Sequence, residues 1–352
     1  MHSSLRRPQR HSPWLYESAG MAATDASKCP TTARALWYVG PGSCALRTAP
    51  LPDAAAGHAR IESLWSGISR GTERLVFRGL ADPIHRDRMR APLQDGDFPF
   101  PVKYGYSAVG RVEEGPAELQ GRTVFALAPH QDRFRLPADA LVPVPDGVPA
   151  RRATLAANME TALNALWDAG AGPGDRIAVV GTGLVGLLVA YLAARLPGAE
   201  VTAIDPDARR APLATAFGAA FAPAGPKALD ADIVFHTSGT GAGLATALGC
   251  CGEEGRLVEM SWYGDRAVEI GLGGAFHHRR LAILSSQVGQ VSPSRRPRWS
   301  HRRRLAKALD LLADPRLDAL ITEEVAFDDL PQALPRILCD GAAGIATVVR
   351  YT

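Results

Sequence analysis

Cysteine is scarce in this 352-residue chain and nowhere set at a redox or metal-binding spacing. The five thiols, Cys29, Cys44, Cys250, Cys251 and Cys339, form no Cys-x-x-Cys arrangement, which argues against a disulfide framework and points to reduced thiols in a cytoplasmic protein. Charge of one sign is lacking too. The net charge is +3, from 39 basic and 36 acidic side chains, too little to imply a nucleic-acid or membrane partner. No internal repeat and no low-complexity tract is present, and the first residues hold no apolar run of signal-peptide length.

What is present is enough apolar residue for a sizeable core. Hydrophobic residues make up 46% and charged residues 21%, as expected of a globular chain long enough for two domains. Residues 1–33 stand apart: Arg6, Arg7 and Arg10 lie among Ser and Thr. They are expected to be a disordered extension, with Met21 as an alternative start; an organelle-targeting leader is the competing reading. Between Arg176 and Arg195 lie eighteen uncharged, mostly apolar residues, near the length of a membrane span. Gly181, Gly183 and Gly186 break that stretch, so a buried strand, a turn and a buried helix are expected instead.

From about residue 35 to 148, short apolar runs at 36–39, 59–64, 107–112 and 122–128 read as strands, separated by Gly and Pro. No long helical pattern appears there, and a β-barrel-like unit is expected. The style changes near Ala150. Residues 151–169 read as one helix; then strands (177–180, 200–204, 233–236, 256–260) alternate with helices (184–196, 208–217, 243–248). Such alternation predicts a parallel sheet covered on both faces. The last segment reads as helix 303–312, strand 324–327, helix 330–338 and strand 346–350.

The sharpest motif is Gly181-Thr-Gly-Leu-Val-Gly186, a GxGxxG directly after a strand and opening a helix. Gly181 permits the tight turn, Gly183 lets backbone approach a pyrophosphate, and Gly186 lets helix and strand pack closely. The N–H groups around Thr182, Leu184 and Val185 and the helix dipole then face the phosphates. Asp205, nineteen residues beyond Gly186, ends the next strand, where a carboxylate receives a ribose diol. It also repels a 2′-phosphate, so NAD is favoured; Arg209 and Arg210 soften that preference and leave NADP possible. A methyltransferase also pairs a Gly-rich turn with an acid, but the β-rich first half argues against one.

With these residues in place, the chain resembles the medium-chain dehydrogenase/reductase superfamily over residues 34–352. The resemblance is carried by Trp65-Ser-Gly-Ile-Ser-Arg-Gly-Thr-Glu73, Gly105-Tyr-Ser-Ala-Val-Gly110, Leu136-Pro-Ala-Asp-Ala-Leu-Val-Pro-Val-Pro145 and the glycine motif. The first string is similar to the branch of bacteriochlorophyllide hydroxyethyl dehydrogenases and related alcohol dehydrogenases. The resemblance implies an α/β chain in which a GroES-like β-barrel catalytic domain (34–155 and 296–352) is joined to a Rossmann doubly wound parallel sheet (156–295). It also implies a homodimer through sheet edges.

The departures from the family pattern matter more. Zinc-dependent members place Cys where this chain has Ser69, His where it has Tyr106, and Cys or Glu near Ala157 or Asn158. None of these is a good zinc ligand, and the four-cysteine lobe is missing, so no zinc is expected. A protein group must then serve the reacting oxygen. The resemblance puts Tyr106 and His130 nearest to it, with Ser69 and Thr72 as relay hydroxyls. Arg70 stands where relatives grip the pyrophosphate, alongside Arg210 as a cofactor contact. Lys103 and Glu160 flank the site and are expected to pair, and Gln287 and Gly289 are placed beside the nicotinamide. The basic run 294–304 reads as a solvated linker, and His277 and His278 as poor metal candidates.

The expected activity is NAD(H)-dependent interconversion of a secondary alcohol and a ketone on a small-molecule substrate. Alternatives are an NADPH-dependent quinone or enone reductase and a non-catalytic dinucleotide-binding protein.

Overall fold

A computed structural model describes residues 31–81, 86–225 and 229–351. The extension expected over residues 1–33, with Met21 and Cys29, lies outside the described residues up to position 30.

The first half folds as the alternating apolar pattern requires. Its strands are β1 (Thr32–Gly40), β2 (Ser43–Pro50), β3 (His58–Ile68), β4 (Asp95–Gly96), β5 (Val102–Lys103), β6 (Ala108–Glu114), β7 (Thr123–Ala126), β8 (Arg133–Pro137) and β9 (Val142–Pro143). Two helices interrupt them: α1 (Arg70–Phe77) and the short α2 (Arg86–Met89). Helix α1 was not expected. Eight residues containing Gly71 and Thr72 are too few for a clear helical period, and burial of Leu75, Val76 and Phe77 supplies what propensity does not.

The single helix expected over 151–169 is two, α3 (Ala150–Ala153) and α4 (Ala156–Ala169). The break has a tertiary cause: the Thr154 carbonyl accepts a bond from the Ser107 hydroxyl at 2.5 Å instead of continuing the helix ladder. Beyond it come β10 (Arg176–Val180), α5 (Leu184–Ala193), β11 (Glu200–Ile204), α6 (Ala211–Ala216), β12 (Ala220–Ala222), β13 (Ala231–His236), α7 (Gly241–Cys250), β14 (Cys251–Glu259), α8 (Ala275–His278) and β15 (Ala282–Ser285). The strands form one parallel sheet in the order β12-β11-β10-β13-β14-β15. The runs 177–180 in β10 and 233–235 in β13 are apolar because both faces are covered. Helices α4 and α5 pack on one face, and α7, through Leu244, Ala247 and Leu248, on the other.

The chain then returns to the barrel through α9 (His301–Leu311), β16 (Ile321–Ala326), α10 (Leu330–Ile337) and β17 (Ala346–Arg350). Strand β17 pairs antiparallel with β3, with Thr347 opposite Ile68, so the sheet β16-β17-β3-β6-β7-β9 joins both ends of the chain. This is the mixed architecture expected, a barrel-like unit and a doubly wound parallel sheet. Among the described residues no helix is long and apolar enough to cross a membrane, and the stretch 176–195 is a strand, a turn and a helix.

Candidate active site

The three glycines do three different jobs, and each can be read from its surroundings. Gly181 has φ +98°, and a Cβ there would lie 2.7 Å from the Ser238 nitrogen. A Cβ on Gly186 would lie 1.9 Å from the Gly181 carbonyl oxygen, so only glycine lets α5 approach β10. Gly183, the N-cap of α5, meets nothing within 4 Å. It is the open face of the loop. Behind it the first N–H groups of α5 lack intrahelical partners, as at any helix start. Thr182 Oγ1 is buried with no hydrogen-bond partner among the described residues. An open face, free N–H groups and an unpartnered hydroxyl together fit a pyrophosphate.

Asp205 holds the loop as well as facing it. Its carboxylate accepts the Thr182 N–H at 2.7 Å and the Asp207 N–H at 2.9 Å, one on each oxygen. Each oxygen keeps a lone pair for a ribose hydroxyl. Arg209 and Arg210 both turn to Asp207, at 2.7 and 3.4 Å.

Arg70 does not extend freely into this site. Its guanidinium donates to the carbonyls of Ile337, Ala343 and Gly344, tying α1 to the end of α10. Burial, followed by the nearby charges of Arg74 and Arg210, lowers its pKa. Three of its five N–H groups are thus engaged by the last carbonyl of α10 and by the loop before β17, where a pyrophosphate grip was expected.

The barrel supplies hydroxyls of its own. Tyr106 donates a hydrogen bond to Ser69 Oγ, and Thr72 also bonds the phenol. Burial pushes the Tyr106 phenol up to about 12, while those two bonds act in the opposite direction. The phenol therefore stays protonated at neutral pH. The Tyr104 ring packs edge-on against that of Tyr106, with centroids 6.1 Å apart.

His130 lies elsewhere than expected. It has no exposed surface, since the backbone of Gly105 (φ +123°) packs directly on its ring. Its Nε2 lies 3.0 Å from Glu73 Oε2, and its Nδ1 lies 2.7 Å from Ser66 Oγ, which in turn meets the Tyr351 hydroxyl at 3.0 Å. Because a carboxylate only accepts, Nε2 carries a proton and donates to Glu73. His130 was expected to face the substrate as a proton carrier; both its ring nitrogens are instead engaged by buried barrel side chains.

Glu73 is the residue the sequence reading missed. It is fully buried, and its carboxylate also receives the Tyr38 hydroxyl at 2.7 Å and the Ser69 N–H at 2.7 Å. It thereby fixes the backbone of Ser69, whose hydroxyl holds Tyr106. The signal was available: an acid in a hydroxyl-rich string, four residues after Ser69, with no surface role assigned.

The remaining candidates separate. Glu160 pairs with Arg304 at 2.9 Å, and Lys103 lies 3.8 Å from Asp95, so the two do not pair with each other. Arg304 is itself buried and also bonds Asn164 and the carbonyls of Val288 and Gln290, so the basic run ends in a structural hub and is not solvated throughout. Gln287 folds back onto the Gly289 N–H at 2.7 Å. Among the described residues no three His, Cys, Asp or Glu side chains converge to hold a metal ion, and Ser69 and Tyr106, expected at the positions of zinc ligands, meet as neutral hydroxyls.

No family model matches the chain. D-guloside 3-dehydrogenase of Escherichia coli (strain K12) is 25% identical over 309 residues, covering 79% of this chain and 88% of that protein. Among solved structures, L-idonate 5-dehydrogenase of Escherichia coli superposes with TM-score 0.74 at 16% identity, over 91% of this chain and 98% of that one. A Sinorhizobium meliloti dehydrogenase, named as zinc-binding and bound to NADP, gives 0.72 at 18%, over 91% and 100%. The fold is the one the resemblance implied.

Proposed function

From this medium-chain dehydrogenase fold, we propose that the chain is a zinc-independent oxidoreductase that uses NAD(H) to interconvert a ketone and a secondary alcohol. The observation that carries the reading is the Tyr106–Ser69 hydroxyl pair on the barrel, together with the open face of the glycine loop on the parallel sheet. The bound dinucleotide supplies or accepts the hydride. The chain's own residues handle the proton. A phenol kept protonated by burial turns its proton from Ser69 Oγ to the developing alkoxide, and the phenolate left behind accepts from the Ser69 hydroxyl until water reprotonates it as product leaves. That protonation state suits ketone reduction better than alcohol oxidation, which needs a base.

NAD is favoured over NADP because Asp205 stands at the ribose and Arg210 is engaged by Asp207. The guloside and idonate named for the similar proteins support a polyhydroxylated substrate. A homodimer would pair the sheet edge at β15, where Ile283 is 39% exposed; Leu272, 45% exposed, lies between β14 and β15.

The test is metal analysis of the purified chain followed by fluorescence titration with NADH and NADPH. The expected result is NADH binding with far less than one zinc per chain and weaker NADPH binding. Stoichiometric zinc that activity requires would overturn the hydroxyl mechanism, and failure to bind either nucleotide would overturn the oxidoreductase reading.

A further inference from the structure

A second buried His–carboxylate pair lies on the Rossmann side of the cleft, and nothing in the reaction described above uses it. Strands β13 and β14 run parallel with His236 directly opposite Glu259, each the last residue of its strand. His236 is fully buried; its Nδ1 lies 2.7 Å from Glu259 Oε2, and its Nε2 lies 2.6 Å from Ser238 Oγ. Burial pushes the Glu259 carboxyl up, but the bonds from His236 and Ser261 outweigh it and hold the pKa below its ordinary value.

The order Ser–His–Glu is that of a hydrolytic triad, yet the surroundings of the hydroxyl exclude a nucleophile. Ser238 Oγ is also met by Thr240 Oγ1 at 3.0 Å and the Thr240 N–H at 3.3 Å. A Cβ on Gly243 would lie 2.0 Å from it, so the N-terminal turn of α7 closes over the oxygen. No face remains for an acyl carbon.

What the pair does hold is two turns. The turn at 237–240 forms the wall of the glycine loop: Thr237 Oγ1 donates to the Gly181 carbonyl at 2.6 Å, and Gly181 packs on the Ser238 backbone. The turn at 260–264 is held to the same carboxylate. Glu259 Oε1 accepts the Ser261 N–H at 2.7 Å, and Oε2 accepts the Tyr263 hydroxyl at 3.1 Å. The Gly239 N–H then donates to Ser261 Oγ at 3.1 Å, joining the turns directly. The second turn reaches the barrel, where Trp262 packs against its core and Gly264 lies against the Leu80 carbonyl.

We propose that His236 and Glu259 are positioning residues for the nicotinamide half of the dinucleotide, clamping the two turns that wall it. The inference rests on the dinucleotide reading above. Asp205, just past the end of β11, marks the adenosine side, and the sheet order reverses between β10 and β13, so the other half of the ligand lies over the ends of β13 and β14.

The experiment compares two ligands, NADH and ADP, on the wild-type chain and on Glu259→Gln and His236→Gln. ADP occupies the half marked by Asp205 and the pyrophosphate loop, which Thr237 holds through its own hydroxyl and not through His236 or Glu259. Loss of a hydrogen bond to a charged group predicts an NADH Kd raised about tenfold in each variant, with the ADP Kd unchanged within about twofold. Equal weakening of both ligands would reduce the pair to a general structural role and overturn the proposal, as would an unchanged NADH Kd. A wild-type chain that binds neither ligand would overturn the dinucleotide reading itself, a different result. Tyr263→Phe removes one donor to Glu259 from a half-buried position; if the buried variants do not fold, it is expected to weaken NADH about threefold, again sparing ADP, and an equal effect on both would refute the clamp.

Discussion

Replacing Gly183 with valine separates binding from folding. The backbone there has φ −68°, which any residue adopts, and a Cβ would meet no atom within 4 Å. The cost to the fold is the poorer N-cap, about 1 kcal/mol, or a fall of about 2–4 °C in Tm. The same side chain occupies the open face of the loop and holds a pyrophosphate away from the N–H groups of α5. Losing one or two hydrogen bonds to a charged ligand predicts an NADH Kd about 10- to 100-fold weaker.

The neighbouring glycines supply the contrast. Gly186→Ala drives a methyl to 1.9 Å from the Gly181 oxygen and 2.6 Å from Thr237 Oγ1, and it has no rotamer by which to escape. It should cost about 1–3 kcal/mol or more and lower stability and binding together. Gly181→Ala adds a left-handed backbone penalty of about 1–2 kcal/mol to its clash with Ser238. Fluorescence titration with NADH and thermal melts on the three variants read both quantities. A Gly183→Val chain that binds NADH as tightly as wild type would refute the placement of the pyrophosphate, whatever the other two do.

Tyr106→Phe should lower kcat about 10²- to 10⁴-fold on the carbonyl compound the wild type reduces fastest, with NADH affinity unchanged; a loss of less than threefold would remove the phenol from the mechanism. All six described tyrosines, 38, 104, 106, 191, 263 and 351, are held above the ordinary phenol value, chiefly by burial. Because the folded value is raised, their contribution to stability is intact below about pH 10 and is lost as pH rises through the folded values, about 12 for Tyr106 and Tyr263. A phenolate titration at 295 nm should therefore show most of the signal arriving with cooperative unfolding, and smooth ionisation near pH 10 would contradict the burial. Arg304→Met leaves Glu160 and Asn164 buried without their donor and should cost about 3–5 kcal/mol in a denaturant melt, most of it recovered in the double variant with Glu160→Leu; a single-variant loss under 1 kcal/mol would show the hub to be loosely held.

Much of the second half was legible because its signals are local. A β-branched run, glycines at spacings of two and three, and an apolar helix fix strand, turn and helix within fifteen residues of one another. Asp205 followed from the length of one helix and one strand. The barrel was legible only in outline: α1 is too short to show a period, and the break at Thr154 depends on a hydroxyl 47 positions away.

The same distinction divides the site residues. The sequence alone determined the residue types: glycines in the turn between strand and helix, an acid after the second strand of the parallel sheet, and hydroxyls at positions 69, 72 and 106. Only the tertiary structure decided their roles. It buried His130 against Glu73, turned Arg70 onto the end of α10, and set His236 opposite Glu259 across two strands. A titratable side chain's role depends on which charges and donors surround it and whether water reaches it. Those neighbours are brought together by chain closure over 23 residues for His236 and Glu259 and over 57 for Glu73 and His130, a separation no local pattern encodes.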